Sequence, residues 1–583
     1  MKSRMLFISG LLLVLLGSLL AWNANTDGGT IEIKDVRFMG TNGTQMSALL
    51  YIPPNATAET PAPAILAIHG YINSRETQAG YAIEFARRGY VVLALDQTGH
   101  GYSDPPAFGN GFGGPDGLAY LRTLDIVDTD NIGLEGHSMG GWASVIAAGV
   151  YPDDYKAIML QGSSTGTFGA PDGTAEFPRN LGVVFSTWDE FSELMWNSPT
   201  GTGVTETEKL QTAFGTDEEV VVGQMYGSIE DGTARQLYQP TTTHPGDHLN
   251  SEAIGDAVEW MSMTLEGGNG LDPSNQIWQM NEIGRLIALV GMVLAMLGFG
   301  RMLLSTPYFI DLVRPIPAAK TMTGPAKWVG YLLTIFIPIV TYFWLQNLPT
   351  QLGMSASAFF PQNITTGIMF WAVGNGIISL ILFLLWHFTS NRSSNATIEN
   401  YALGGGISVI FKSFVLALSI FAFGYFLLVL AGMIFTVDFR FWVVAIKQMS
   451  GLQFRIFLQY LPFFTFFFLV LGLALHGQLR PTRSDGSPVG LGYEMLAYVG
   501  LLVLGFFVLL AVQYIPLMTG SPLPFGESLL TVVAFQFIPL LTIVGAFMAW
   551  FFRKTGTLYT GAFLSAMFIT WVIVAGQATH FAF

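Results

Sequence analysis

Hydrophobic positions fall into two regimes along this chain. Between residues 27 and 282 they come in short runs broken by Gly, Pro and polar clusters. Elsewhere they form runs long enough to cross a bilayer. In the first regime, Ile31–Phe38 and Met46–Ile52 read as an entry hairpin. Ala64–His69, Val91–Asp96, Ile132–Glu135, Ala157–Leu160, Leu181–Phe185 and Arg235–Tyr238 read as further strands, with a helix over Tyr81–Arg88. Strands alternating with helices predict a mostly parallel sheet flanked by helices on both faces, with ligands beyond the strands' carboxyl ends.

The second regime begins with an apolar run at 5–22 behind Lys2 and Arg4. No small-x-small cleavage site stands near Trp22-Asn23-Ala24-Asn25, so the run reads as an uncleaved signal anchor. Eight more runs lie near 283–304, 328–346, 364–387, 406–436, 456–476, 491–515, 527–551 and 558–577, giving nine predicted spans. The expected organisation is an anchor at 1–26, a strand-helix domain at 27–265, a linker at 266–282 and an all-α transmembrane domain at 283–583. The Gly-rich stretch 265–275 reads as a short flexible tether. Gly374-Asn375-Gly376 reads as a packing kink.

Charge sharpens the division. Residues 27–282 hold 34 acidic and 10 basic side chains, whereas 283–583 hold 6 and 14. So acidic a domain is a poor partner for nucleic acid. With Lys2 and Arg4 cytoplasmic, the positive-inside rule places the acidic domain and the C-terminus outside. Arg301, Arg314, Lys320, Lys327, Arg392, Arg480, Arg483, Arg553 and Lys554 then fall in cytoplasmic loops. Only 437–455 departs, with Arg440, Lys447 and Arg455 on the outer side; its aromatics suggest an interfacial helix. Arg285, Lys412 and Glu494 read as snorkelling residues near span ends. The chain has no cysteine, which excludes disulfides and a thiol nucleophile.

Candidate chemistry centres on Gly136-His137-Ser138-Met139-Gly140. This G-x-S-x-G follows a strand-like run and opens a helix-like one, the context in which a serine is projected from a tight turn. Together with His69-Gly70-Tyr71 and Asp96-Gln97-Thr98-Gly99-His100-Gly101-Tyr102-Ser103, in this order and spacing, it resembles the α/β-hydrolase family over roughly residues 31–265. No family resemblance covers 283–583.

The resemblance implies a nucleophile, acid and histidine in that chain order. It assigns Ser138 as nucleophile. Asp189 is the expected acid, with Glu190 as alternative, and His244 the expected base, with His248 as alternative. The backbone N–H groups of Tyr71 and Met139 are the expected oxyanion hole. His69, His100 and His137 read as structural, and neither metal nor cofactor is expected. Glu135 departs from the family's usual apolar residue there and must be paired or partly neutral. Phe168, Phe177, Phe191, Met195 and Trp196 are candidates for an acyl pocket.

The leading expectation is a membrane-anchored serine hydrolase, acting outside the cytoplasm on an ester, thioester or amide of a small molecule or lipid. Membrane lipids are its surroundings, and its protein partners are left open. The alternatives are an acyltransferase with a lipid donor or acceptor, and a transporter or receptor carrying a degenerate hydrolase domain.

Overall fold

A computed structural model describes residues Lys2–Phe583. Met1, the first residue of the expected anchor, and the side chains of Lys2 and Ser3 lie outside what it describes.

Eight strands form one mixed sheet. They are β1 (Glu32–Met39), β2 (Gln45–Ile52), β3 (Ala62–Ile68), β4 (Val91–Asp96), β5 (Val127–His137), β6 (Ala157–Gln161), β7 (Leu181–Val184) and β8 (Arg235–Tyr238). The spatial order is β1-β2-β4-β3-β5-β6-β7-β8. The β1/β2 and β2/β4 pairs are antiparallel, and every pair from β4/β3 to β7/β8 is parallel.

A helix, α1 (Lys2–Asn25), precedes the sheet, and six others belong to the sheet domain: α2 (Ala79–Arg87), α3 (Gly114–Leu121), α4 (Met139–Val150), α5 (Ser192–Trp196), α6 (Glu208–Phe214) and α7 (Ser251–Thr264). The central strands are apolar on both faces, as a doubly covered sheet requires. Leu66, Ile68, Leu93 and Leu95 share one core with Leu118, Trp142 and Val145 of α3 and α4. Ile65, Ala67, Val92 and Ala94 face the opposite way, onto Phe85, Ile254 and Trp260 of α2 and α7.

Nine helices follow: α8 (Trp278–Leu303), α9 (Gly324–Val340), α10 (Tyr342–Gln351), α11 (Asn363–Trp386), α12 (Gly406–Phe435), α13 (Gly451–Gly472), α14 (Leu491–Met518), α15 (Ser528–Thr555) and α16 (Tyr559–Gly576). Among the described residues, eight helices are long and apolar enough to cross a membrane. A ninth span results if α9 and α10, bent by 41° after Pro338, are taken together. Helix α11 runs as one continuous helix through Gly374–Gly376.

The tether is pinned. Arg88 Nε donates to the Leu271 carbonyl, and Glu84 Oε1 accepts the backbone N–H groups of Ile277 and Trp278 at 2.7 and 3.0 Å. A carboxylate on these otherwise unpaired N–H groups starts α8 at Trp278, five residues before the expected span. Helix α1 lies antiparallel along α8 with backbones nearly touching. A Cβ at Gly10 would stand 2.4 Å from the Ala295 nitrogen, and one at Gly17 2.5 Å from that of Ala288.

The carboxyl edge of the sheet faces the helical bundle. Helix ends meet it at Tyr514 and Ser528, the loop between α12 and α13 meets it at Trp442, and the C-terminal tail runs beside it: Thr579 N–H donates to Gly99 O, and Ala107 N–H to Thr579 O.

Candidate active site

Strand β5 ends at His137 and α4 begins at Met139, leaving Ser138 alone to turn the chain. Its φ/ψ of 55°/−123° lie outside the ordinary regions, a strain of about 1–3 kcal/mol held by the packed strand and helix. Close approach makes this possible: a Cβ at Gly140 would sit 2.0 Å from the Ile68 carbonyl oxygen.

Asp189 and His244 are brought together by the sheet. Beyond β7 and β8, one further parallel bridge joins Trp188 to Thr243, so the next residue of each loop stands beside the other. His244 Nδ1 donates to Asp189 Oδ2 at 2.9 Å. Asp189 Oδ1 accepts the Phe191 N–H at 2.7 Å. With the proton on Nδ1, the Nε2 lone pair is free to act as base. Gly162 gives the pair its space, since a Cβ there would meet His244 Nδ1 at 2.7 Å.

Ser138 and His244 line one cavity of about 760 Å³, counting its open mouth. Among the described residues no hydrogen bond joins the Ser138 hydroxyl to His244. Catalytic bonds of this kind are often long before substrate arrives. His248, the alternative base, also lines the cavity, but its ring lies 4.2 Å from that of His137, and its Nδ1 has no partner.

Glu190, the alternative acid, faces elsewhere. Its Oε2 accepts the backbone N–H of His244 at 2.8 Å, and its Oε1 accepts the Tyr514 hydroxyl. Neither the Tyr71 nor the Met139 N–H is taken by a described protein acceptor. His69 Nδ1 donates to Gly70 O and its Nε2 accepts the Gln97 N–H, while His100 lies against the Tyr71 carbonyl. These two rings brace the loop that carries Tyr71. His137 Nε2 donates to the His244 carbonyl at 3.0 Å.

Burial dominates the site's electrostatics. It pushes His244 down to about 4 and holds His137 and His248 below the usual imidazole range. It raises Asp189, with the Asp247 charge adding to the effect. Glu190 is pushed up to about 8 by burial and by Asp189, against the pull of its two donors. Glu135 is likewise raised to about 8 by burial, with Gln78 and Gln161 donating to it, so the buried carboxyl is paired through two amides and lies outside the cavity.

The far wall comes from the helical bundle: Glu282, Arg440, Trp442, Val443, Leu529 and Val532. Sequence reasoning missed these residues, as it missed Tyr514 and Ser528. The latter's Oγ donates to the Glu190 carbonyl at 2.5 Å. Segment 436–450 is not the interfacial helix that its aromatics suggested. It is an irregular loop packed onto the sheet domain, where Trp442 Nε1 donates to the Pro245 carbonyl at 2.7 Å.

The basic residues of this loop are buried against carboxylates. Lys447 and Arg440 lie 3.3 and 3.5 Å from Glu76, and Arg440 lies 3.3 Å from Asp438. Although burial pushes Glu76 up, Lys447, Arg75 and Arg440 hold its carboxyl well below the usual range. Arg285 is only 2 % exposed, 3.6 Å from Asp438, rather than snorkelling. Of the five residues proposed for an acyl pocket, only Phe191 lines the cavity. Met195 and Trp196 are buried in the sheet core, where apolar area is best hidden, while Phe177 packs against that core and Phe168 stacks on Trp142.

Residues 63–200 match a family model described as alpha/beta hydrolase fold. No curated protein matches the chain. Among solved structures, the chain is similar to an epoxide hydrolase from an endophytic Streptomyces, at 19% identity over 23% of this chain and 38% of that one, with a TM-score of 0.20. It is similar to a hypothetical protein from Pseudomonas aeruginosa, at 28% over 23% and 43%, with a TM-score of 0.21. It is also similar to a Vigna radiata epoxide hydrolase mutant, at 22% over 23% and 40%, with a TM-score of 0.20. The chain thus spans less than half the length of each of these structures. With the sheet order, the serine turn and the family match together, the chain carries an alpha/beta hydrolase fold domain, joined to a bundle of apolar helices.

Proposed function

We propose that this protein is a membrane-anchored serine hydrolase that cleaves an ester, thioester or amide of a small molecule or lipid outside the cytoplasm. The observation that carries this reading is the 2.9 Å bond from His244 Nδ1 to Asp189, which leaves Nε2 unprotonated in the cavity that Ser138 lines. In the proposed reaction, Ser138 Oγ attacks the acyl carbon while His244 Nε2 takes the hydroxyl proton. The Tyr71 and Met139 N–H groups hold the developing oxyanion. His244 then protonates the leaving group; in the second half, water attacks the acyl carbon while His244 takes its proton, and His244 returns that proton to Ser138 Oγ as the bond from Oγ to the acyl carbon breaks.

Two observations support the membrane setting. The helix ends away from the sheet domain, and the loops that join them, carry Arg301, Arg314, Lys320, Lys327, Arg392, Arg480, Arg483, Arg553 and Lys554, the bias of cytoplasmic loops. Of the three basic residues on the sheet side that broke this rule, Arg440 and Lys447 are paired and buried, while Arg455 is exposed and lies over the Phe583 ring. The close seat of α1 on α8 supports an anchor that is retained.

The test is hydrolysis of a panel of acyl esters by the purified full chain and by Ser138→Ala. Turnover by the full chain and loss of it in a folded Ser138→Ala protein is the expected pair of results. Equal turnover by both proteins contradicts the assignment. A cavity walled by membrane helices also favours a second reading, transfer of the acyl group to a lipid alcohol. An acylated lipid among the products distinguishes it from hydrolysis.

A further inference from the structure

The helical bundle contains a second cavity, larger than the one at Ser138 and separate in its lining residues. It encloses about 1190 Å³, counting its openings, among α9, α11, α13, α14 and α15. Its walls are almost wholly apolar and rich in aromatic rings, including Trp371, Phe467, Phe506 and Phe537. Its lining residues on α11 run from Ile368 to Leu382, so it extends about 21 Å along that helix at about 1.5 Å per residue. That length is most of the hydrocarbon thickness of a bilayer.

Of the four polar side chains in the wall, Thr334, Asn375, Ser379 and Gln478, the first two are satisfied within it. Asn375 Nδ2 donates to Thr341 Oγ1 at 3.0 Å and to the Trp371 carbonyl at 2.8 Å, and Thr334 Oγ1 donates to the Gly330 carbonyl at 2.9 Å. Water therefore has few partners in the slot, and an apolar void of this size would forfeit dispersion contacts along all its walls.

Access comes from the side. Helix α9 has one buried residue, Gly330, and so covers the slot loosely. Val329 and Leu333 line the slot and are also 55% and 40% exposed at the bundle's outer surface. The kink at the end of α9 is braced rather than free: Trp371 Nε1 donates to the Pro338 carbonyl at 2.8 Å. The slot is thus held open by hydrogen bonds that its occupant does not need to make.

We infer that this slot binds one long hydrocarbon chain, entering from the bilayer past α9. The chemistry fits a glycerolipid acyl chain and an isoprenoid chain alike. The inference does not rest on the reaction proposed for Ser138.

The test is photo-crosslinking of the full chain in phosphatidylcholine vesicles, with peptides mapped by mass spectrometry. One arm carries a diazirine in a phosphatidylcholine acyl chain, and the other a diazirine-bearing polyprenol. Adducts at Trp371, Phe467 or Phe506 in either arm are the expected result, and the arm that gives them identifies the source of the chain. The label should be lost in Ala372→Trp and in Ser379→Phe, which fill the slot from one wall, while surface label at Trp328 persists. Two variants guard against misfolding of one, and the wild-type map stands without either. Adducts confined to outward-facing positions such as Trp328, or slot adducts undiminished in both folded variants, would overturn the inference.

Discussion

Two imidazoles compete for one role at the mouth of the cavity, and a single hydrogen bond separates them. His244 has a carboxylate on Nδ1; His248 has none there. His244→Ala should therefore abolish ester turnover, while His248→Ala should keep most of it; steady-state kinetics on the two variants decides. Asp189→Asn should lower kcat by about 10⁴, because the wrong tautomer then faces Ser138. Glu190→Gln should cost less, since Glu190 meets His244 at its backbone N–H and not at its ring.

The pH dependence has a definite sign. Imidazole acts as a base only when neutral, and burial pushes His244 from 6.5 down to about 4. The acid limb of kcat/KM should accordingly fall near pH 4, with no loss near 6.5. An acid limb at 6.5 would mean that the imidazole is solvated. Sequence made Ser138, Asp189 and His244 legible because each follows a strand by a family spacing. It placed His244 ahead of His248 from the family's spacing alone, whereas four residues of loop decide which ring meets the carboxylate.

At the level of elements, the loop carrying His244 is clamped by the helical bundle. Tyr514 of α14 and Ser528 of α15 hold Glu190, Glu190 holds the His244 N–H, and Trp442 holds the Pro245 carbonyl. On the proposed function, Tyr514 acts as a positioning residue. Tyr514→Phe keeps the ring and removes the hydrogen bond to Glu190. Its expected signature is a lower kcat with KM and melting temperature unchanged. A fall in melting temperature with kcat intact would mark a merely structural contact.

The strands and most helices were legible from their periodicity, and seven of the eight strands fall within two residues of their expected ends; only β5 starts earlier, at Val127. The clamp was not legible, because Tyr514 and Glu190 are 324 residues apart and each looks ordinary alone. The 436–450 loop misled for a related reason. Aromatics beside basic residues suit a headgroup region, but here the carboxylates that pair with the bases belong to another domain.

On the scale of the whole molecule, the sheet's functional edge is pressed against the ends of the helices, so domain and bundle share one cavity. The proposed orientation can be read without disturbing the protein's own chemistry, because the chain has no cysteine. Asp485→Cys should escape an impermeant maleimide in intact cells and react only after permeabilisation, whereas Gly520→Cys should react in intact cells. The reverse pattern would invert the topology. Near-contact of α1 with α8 makes Gly10→Leu a severe change; reduced yield and a lower melting temperature are expected.

The central claim is that the hydroxyl at Ser138 becomes covalently acylated with His244 as its base. Treating the full-length protein in membranes with a fluorophosphonate and mapping the adduct by mass spectrometry tests it most directly. A single phosphonyl adduct on Ser138, lost in His244→Ala and kept in His248→Ala, is the predicted result. An unmodified Ser138 in folded wild-type protein, or an adduct indifferent to His244, would contradict it.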